Sequence, residues 1–227
     1  MLNIIYEDNH LIILNKRCGD LVQSDQTGDE TLADRTKAYL KEKYNKPGKV
    51  FLGIPHRLDR PTSGLIVYTR TGKALKRMIK LFKQREVQKT YWAVCQGSPE
   101  KEAMHLTDYL YKNKEQNKSY VTENPQEDAK RAELILRKRG EYEGFSMIET
   151  ELITGRHHQI RVQLSHRGMI IKGDMKYNYP EPNADAGIHL HARRIEFVHP
   201  VRKEKMAFTA DPPSDPYWNY FMSIDQS

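Results

Sequence analysis

His56-Arg57-Leu58-Asp59-Arg60-Pro61-Thr62-Ser63-Gly64-Leu65 interrupts a chain that otherwise reads in short regular pieces. From residue 54 to residue 63 the apolar positions follow neither a helical nor a strand period, so the segment reads as a loop, with Leu65 to Tyr68 beyond it as a buried strand. Asp59 is the only acidic residue between Glu42 and Glu86, a span that holds twelve basic ones. Two roles suit it. It can be the surface counter-ion of Arg57 or Arg60, or a working carboxylate displayed on a loop ahead of a rigid strand. Cationic neighbours hold a carboxylate ionised, which suits a nucleophile or an anionic base and disfavours a general acid.

The positive charge around this loop is a local excess. The 227 residues carry 37 Lys+Arg against 30 Asp+Glu, a formal charge of +7. Residues 1–60 and 93–227 are close to neutral, whereas residues 61–92 hold eight basic groups and one acidic group. Concentrated charge of this kind suits a surface that meets a polyanion. Thr71 is a candidate N-cap for a helix over residues 72–85, with Leu75, Met78, Ile79 and Phe82 spaced as its apolar face. Lys73, Lys76, Arg77, Lys80, Lys83 and Arg85 occupy its other faces. A lysine-rich outer face also serves plain solubility. Tyr91 and Trp92, just beyond the helix, suit either base stacking or ordinary strand core.

Working outward, residues 3–6 and 11–14 read as strands around a turn at Glu7-Asp8-Asn9, and a helix starts at Thr31 and runs to Tyr44. Residues 50–53 read as extended, and residues 89–96 as a strand. Residues 111–128 are hydrophilic and suit a hairpin; residues 130–138 and 145–152 read as a strand pair. Residues 188–197 and 206–210 complete a mixed α+β pattern in which strands predominate. Residues 154–168 fit two readings, because Ile160, Val162 and Leu164 alternate while Ile160 and Leu164 also fit a helix closed by Gly168. From Leu152 to Gly173 the chain has no acid but contains Arg156, His157, His158, Arg161, His166, Arg167 and Lys172. Without a carboxylate, cysteine or HExxH spacing there, no metal site is expected.

Cys18 and Cys95 are 77 positions apart and read as reduced thiols. No transmembrane run and no signal peptide is evident, so a cytoplasmic protein is expected. No repeat or linker divides the sequence; residues 1–227 are expected to form a single domain, and a monomer, without a membrane or obligate protein partner.

The stretch from His56 to Leu65 resembles the HRLDRxTSGL signature of the RluA family of RNA pseudouridine synthases. Lys89-Thr90-Tyr91 is similar to that family's KxY element, and residues Gly155 to Val162 to its GRTHQIRVH element. Gly173-Asp174-Met175-Lys176-Tyr177 resembles its GDxxY, while Leu190-His191-Ala192 and His199-Pro200 resemble its LHA and HP pieces. The likeness runs in order over residues 4–212. It implies a pseudouridine synthase catalytic fold, with a mixed, mainly antiparallel central sheet, flanking helices and an RNA-binding cleft. It also implies isomerisation of a flipped uridine in ribosomal or transfer RNA, with no cofactor.

On that resemblance Asp59 is the catalytic aspartate, Tyr91 the tyrosine that packs against the target base, and Arg161 the arginine that pairs with the aspartate. Arg57 is the residue that fills the space left by the flipped base. His56, Arg60, Thr62, Lys89, Arg156, His158 and Gln159 are the expected further RNA contacts, and the 72–85 helix is the phosphate-contacting flank. The sequence departs from the family pattern at His157 (usually Thr), Gln163 (usually His), Asn178 (usually Gly) and Arg17-Cys18 (often a Pro-containing turn). The accessory S4 domain of some members is not expected in it. Two other functional classes stand beside this one: an RNA-binding module without activity, which the basic helix suits, and a small-molecule hydrolase or glycosidase, although a canonical glycosidase needs a second carboxylate.

Overall fold

The computed structural model describes residues 2–24, 28–123 and 128–225; positions 124–127 of the hydrophilic stretch lie outside the described residues. The alternating segments pair into an eleven-stranded sheet. Along its main path the order is β1 (Ile4–Glu7), β2 (Leu11–Lys16), β3 (Ser63–Thr69), β10 (Leu190–Val198), β4 (Gln88–Gln96), β8 (Phe145–Leu152), β7 (Lys130–Tyr142), β5 (Ala103–Asn113) and β6 (Lys118–Thr122). The two-residue β9 (Ile170–Ile171) pairs with β4, and β11 (Lys205–Thr209) pairs with β10. Only β3 and β10 run parallel; the other named pairs are antiparallel. The expected strand-rich α+β architecture is thus what the chain adopts.

Period-two alternation gives the sheet two buried faces. On one face Ile12, Leu14, Ile66, Tyr68, Tyr91, Ala93, Leu134, Leu136 and Ile148 pack against α1 (Leu32–Lys43) and α3 (Gln159–Ser165). On the other, Leu11, Ile13, Leu65, Val67, Ile195 and Phe197 receive Met78, Leu81 and Phe82 of α2 (Gly72–Gln84). Farther along that face, Trp92, Val94 and Met147 receive Trp218 and Phe221 of α4 (Pro216–Asp225). The Trp92 and Phe221 rings stack at 4.2 Å.

The helix starts follow their caps. Thr31 and Asp34 form a reciprocal capping box at α1, and the Thr71 side chain accepts from the Ala74 backbone at α2. The turn after β1 is an Asp turn, with Asp8 Oδ1 accepting from the backbone of His10 and Leu11, both at 2.7 Å.

Several expectations are revised. Residues 159–165 are a helix, the second of the two readings, and Gln159 through Leu164 are all buried. Residues 50–53 form no strand beyond one bridge from Gly53 to Thr69. Ile79 is 46% exposed, and the buried α2 positions are Ala74 and Met78. The helix α4 carries no sequence expectation: its aromatics make it apolar on several sides, without a clear amphipathic stripe.

Gly64 is required where β3 meets β10. Its φ is +111°, and a Cβ there would lie 2.5 Å from both N and O of Ala192. The parallel contact is made through His191 with Ser63 and Ala192 with Gly64, so a side chain would wedge apart the parallel seam between β3 and β10. Gly64→Ala is expected to incur backbone strain and overpacking of about 1–3 kcal/mol each; a urea-unfolding midpoint matching wild type would contradict this.

Candidate active site

Asp59 sits on the loop between Gly53 and β3, ahead of the Tyr91 face of the sheet. Two side chains set the loop. Lys16, only 1% exposed, donates through Nζ to the backbone oxygens of Arg17 (2.9 Å) and Arg60 (3.0 Å). Burial lowers its pKa to about 8. At the other end, His56 Nε2 accepts from the Val67 backbone at 2.9 Å, and its ring stacks on Phe82 at 4.6 Å. Desolvation lowers the His56 pKa to about 3, so this imidazole is neutral. The turn closes with the Thr62 backbone donating to the Asp59 carbonyl at 3.1 Å.

The carboxylate of Asp59 is met from α3. Arg161 Nη1 donates to Asp59 Oδ2 at 3.1 Å, and His158 Nε2 lies 3.5 Å from the same oxygen. Behind it, Arg161 Nε and Nη2 donate to Asp174 Oδ2 and Oδ1, each at 2.7 Å. The side chains of Arg161 and Asp174 are 5% and 1% exposed, whereas that of Asp59 is 27% exposed. Burial pushes the Asp59 carboxyl up, but the His158 and Arg161 groups facing it prevail and hold it below the usual aspartate value. Burial, then the Asp59 charge, push the Tyr91 phenol well up, so it stays neutral. Tyr91 is 8% exposed and belongs to the core while lying within electrostatic reach of Asp59.

The other expected site residues divide by how their polar atoms are used. Gln159 is buried: its Oε1 accepts from Thr154 (2.7 Å) and the Arg156 backbone (3.0 Å), and its Nε2 donates to the Glu133 carbonyl (2.9 Å). Arg156 Nε donates to the Arg131 carbonyl at 2.9 Å. Arg60 is exposed, with contacts to Asp29 (3.0 Å) and the Gly19 carbonyl (3.1 Å). Thr62 is 2% exposed, with no partner for Oγ1 among the described residues. Arg57 is exposed. Lys89 is half-buried, and burial lowers its pKa to about 8; a Cβ on Gly155 would lie 3.5 Å from its Nζ.

The basic helix adjoins the loop in sequence but not the carboxylate in space. The α2 helix packs on the sheet face opposite Tyr91 and α3, touching the loop through Phe82. Lys73, Lys76, Lys80 and Lys83 are exposed there, while Arg77 Nη1 donates to the Pro200 carbonyl at 2.9 Å.

Three departures from the family pattern have visible consequences. His157 Nδ1 is 2.9 Å from Ser119 Oγ, and its ring stacks on His158 at 3.8 Å. Asn178 adopts φ +77°, a left-handed conformation that asparagine tolerates better than most side chains. Gln163 is fully buried, with Nε2 on Asp108 at 2.6 Å. Asp174 carries no role on residue type alone; the available signals are its place in the stretch that resembles GDxxY and at the end of the acid-free window containing Arg161.

A family model described as RNA pseudouridylate synthase matches residues 10–166. The chain belongs to this family. It is 32% identical, over 213 residues, to a ribosomal large subunit pseudouridine synthase C of Vibrio cholerae, covering 91% of this chain and 64% of that one. A ribosomal large subunit pseudouridine synthase D of Zymomonas mobilis is 30% identical over 226 residues, covering 94% of this chain and 70% of that one. The chain thus spans about two thirds of the length of these relatives. The solved structure of human RNA pseudouridylate synthase domain containing 4 superposes with a TM-score of 0.79 at 21% identity, over 99% of this chain and 93% of that one, and so shares the fold.

The buried ion pair behind Asp59 generates a stability prediction. Asp174→Ala would leave a guanidinium buried with its main partner removed, a loss of about 3–5 kcal/mol. Chemical denaturation checks it: an unfolding free energy within about 1 kcal/mol of wild type, on the order of an exposed pair, would contradict this account.

Proposed function

We propose that this chain isomerises uridine to pseudouridine in structured RNA, with Asp59 acting at the ribose. The observation that carries the reading is an ionised, partly exposed carboxylate held by a buried arginine beside a neutral, largely buried tyrosine. Breaking the N1–C1′ bond develops positive character at C1′, which an anionic oxygen can attack or stabilise; alternatively the carboxylate removes a neighbouring sugar proton. Reattachment joins C5 to C1′, C5 loses its proton and N1 gains one, so the atoms balance without a redox partner. The Tyr91 ring offers a face to the uracil. The nucleotide has to leave its stack to reach Asp59, at a cost of about a few kcal/mol, and exposed Arg57 stands on the same loop to fill the space it leaves. The likeness to ribosomal large subunit pseudouridine synthases C and D favours ribosomal large-subunit RNA as the substrate.

Tritium release from RNA labelled at uridine C5 tests the reading directly. Wild type is expected to release tritium, and Asp59→Asn to slow by about a thousandfold or more, on the order of 4 kcal/mol of transition-state stabilisation. Binding without release by wild type would favour the RNA-binding module. Release by Asp59→Asn at the wild-type rate would remove Asp59 from the chemistry.

The lysines of α2 supply a second test. RNA reaching them from Asp59 has to extend past the sheet to its other face, as a large folded RNA does. Replacing Lys73, Lys80 and Lys83 by Gln is expected to flatten the log–log salt dependence of RNA binding by about 0.7–0.9 for each phosphate that the helix neutralises. An unchanged slope would mean that this helix meets no phosphate.

A further inference from the structure

His158 is the one residue of the α3 start held in a costly backbone conformation. It has φ +53° and ψ +25°, a left-handed geometry that few non-glycine residues adopt although histidine is enriched among them, and its side chain makes no capping bond to the helix it opens. Strain of this kind persists only where surrounding contacts impose it, and it concentrates at functional sites. Here the conformation swings the imidazole between two groups. Nδ1 lies 2.9 Å from the Tyr177 hydroxyl, and Nε2 lies 3.5 Å from Asp59 Oδ2.

The groups facing the two ring nitrogens favour one tautomer. The Tyr177 oxygen accepts from the Ser119 backbone at 3.0 Å, so its single proton goes either to Nδ1 at 2.9 Å or to the Ser119 carbonyl at 3.2 Å. With an anionic oxygen facing Nε2, the imidazole is best satisfied carrying its proton there and accepting from Tyr177 at Nδ1. Burial lowers the His158 pKa to about 3, which makes it a neutral dipole rather than a cation. Burial likewise raises the Tyr177 phenol to about 12, keeping its proton available for donation.

Both groups that address the Asp59 carboxylate address the same atom. Arg161 Nη1 and His158 Nε2 converge on Oδ2, and among the described residues no hydrogen bond or ion pair reaches Oδ1. A carboxylate held by one oxygen has its other oxygen fixed in direction and less engaged by donors. We propose that His158 is a positioning residue for Asp59, locked by Tyr177, and that with Arg161 it fixes Oδ2 and leaves Oδ1 as the atom presented to the ribose. This rests on the role given to Asp59 above and adds the side chain and the oxygen through which that role is exercised. The 3.5 Å separation is long for a hydrogen bond, and such contacts tighten when substrate fills the site.

Single-turnover rates at saturating RNA, with RNA dissociation constants measured in parallel, test the assignment. His158→Ala is expected to slow turnover by about 10–100-fold, equivalent to about 1.4–2.7 kcal/mol, with the dissociation constant moving by less than about threefold. The acid limb of its rate profile moves to higher pH, because a group that favours the ionised form of Asp59 has been removed. His158→Gln, whose amide nitrogen can stand near the place of Nε2, restores much of the rate and returns the acid limb. Tyr177→Phe keeps both rings and removes the lock together with the hydroxyl's bonds to the Ser119 backbone; it is expected to slow turnover several-fold even if His158→Ala folds poorly. Wild-type rates in Tyr177→Phe, or equal rates and acid limbs in folded His158→Ala and His158→Gln, would overturn the proposal. If those results came with an inactive Asp59→Asn, only this inference would fall; an active Asp59→Asn would remove the reading beneath it.

Discussion

Arg161 divides a single guanidinium between two carboxylates, and the site is organised by that division. Nε and Nη2 bind Asp174 in a bidentate fork, and Nη1 is left for Asp59. The planar fork fixes the third nitrogen once the other two are engaged. Asp174 is therefore the buried anchor and Asp59 the outward-facing partner, a distinction carried by exposure: one carboxylate is sealed, the other reaches outward. A buried cation with one anion would be close to neutral; adding Asp59 gives the cluster a net negative charge, and the neutral tyrosines and imidazole around it add no compensating ion.

The rest of the fold supplies the walls of this cluster. α3 carries Arg161, and its Ile160 and Leu164 hold the helix on the Tyr91 face of the sheet. The loop carrying Asp59 is braced from beneath by Lys16 and from the side by His56, both bonded to backbone. Placing a cation under the loop by way of carbonyl oxygens gives rigidity without adding a competing carboxylate near Asp59. The Gly64 contact sets where the loop ends and β3 begins, since the chain passes within van der Waals limits of β10 only without a side chain.

Much of this is legible in residue types alone. Strands alternate visibly where one face is buried, and the capped helices α1 and α2 begin at the threonines that cap them. Asp59 stands out because every nearby charge in sequence is of the other sign. What stays hidden depends on contacts between distant segments. On residue type alone Asp174 looks like an ordinary turn residue until α3 places Arg161 against it, and His56 on its loop and Gln159 at the start of α3 resemble ligand contacts although their atoms are spent on Val67, Thr154 and Glu133. The basic helix teaches the opposite lesson: its neighbourhood to Asp59 along the chain does not survive folding, because β3 carries the chain across and α2 returns on the other face. Linear charge density locates a patch, and only the alternation of a strand says which side of the sheet receives it.

The Arg161 contact with Asp59 joins residues 102 positions apart, and this separation bears on how the protein comes to be active. Long-range pairings pay their loop-closure entropy before they yield any stabilisation, and sheets built from them form slowly. The segment from β4 to β8, including the β5–β6 hairpin, lies between the two partners and can fold from nearer contacts. In the folded chain that segment is joined to β3 through β10, which pairs with both β3 and β4. The Asp59 contact with Arg161 is accordingly a closure over a long loop, and the geometry of the site is tied to the strands between β4 and β8 being in place.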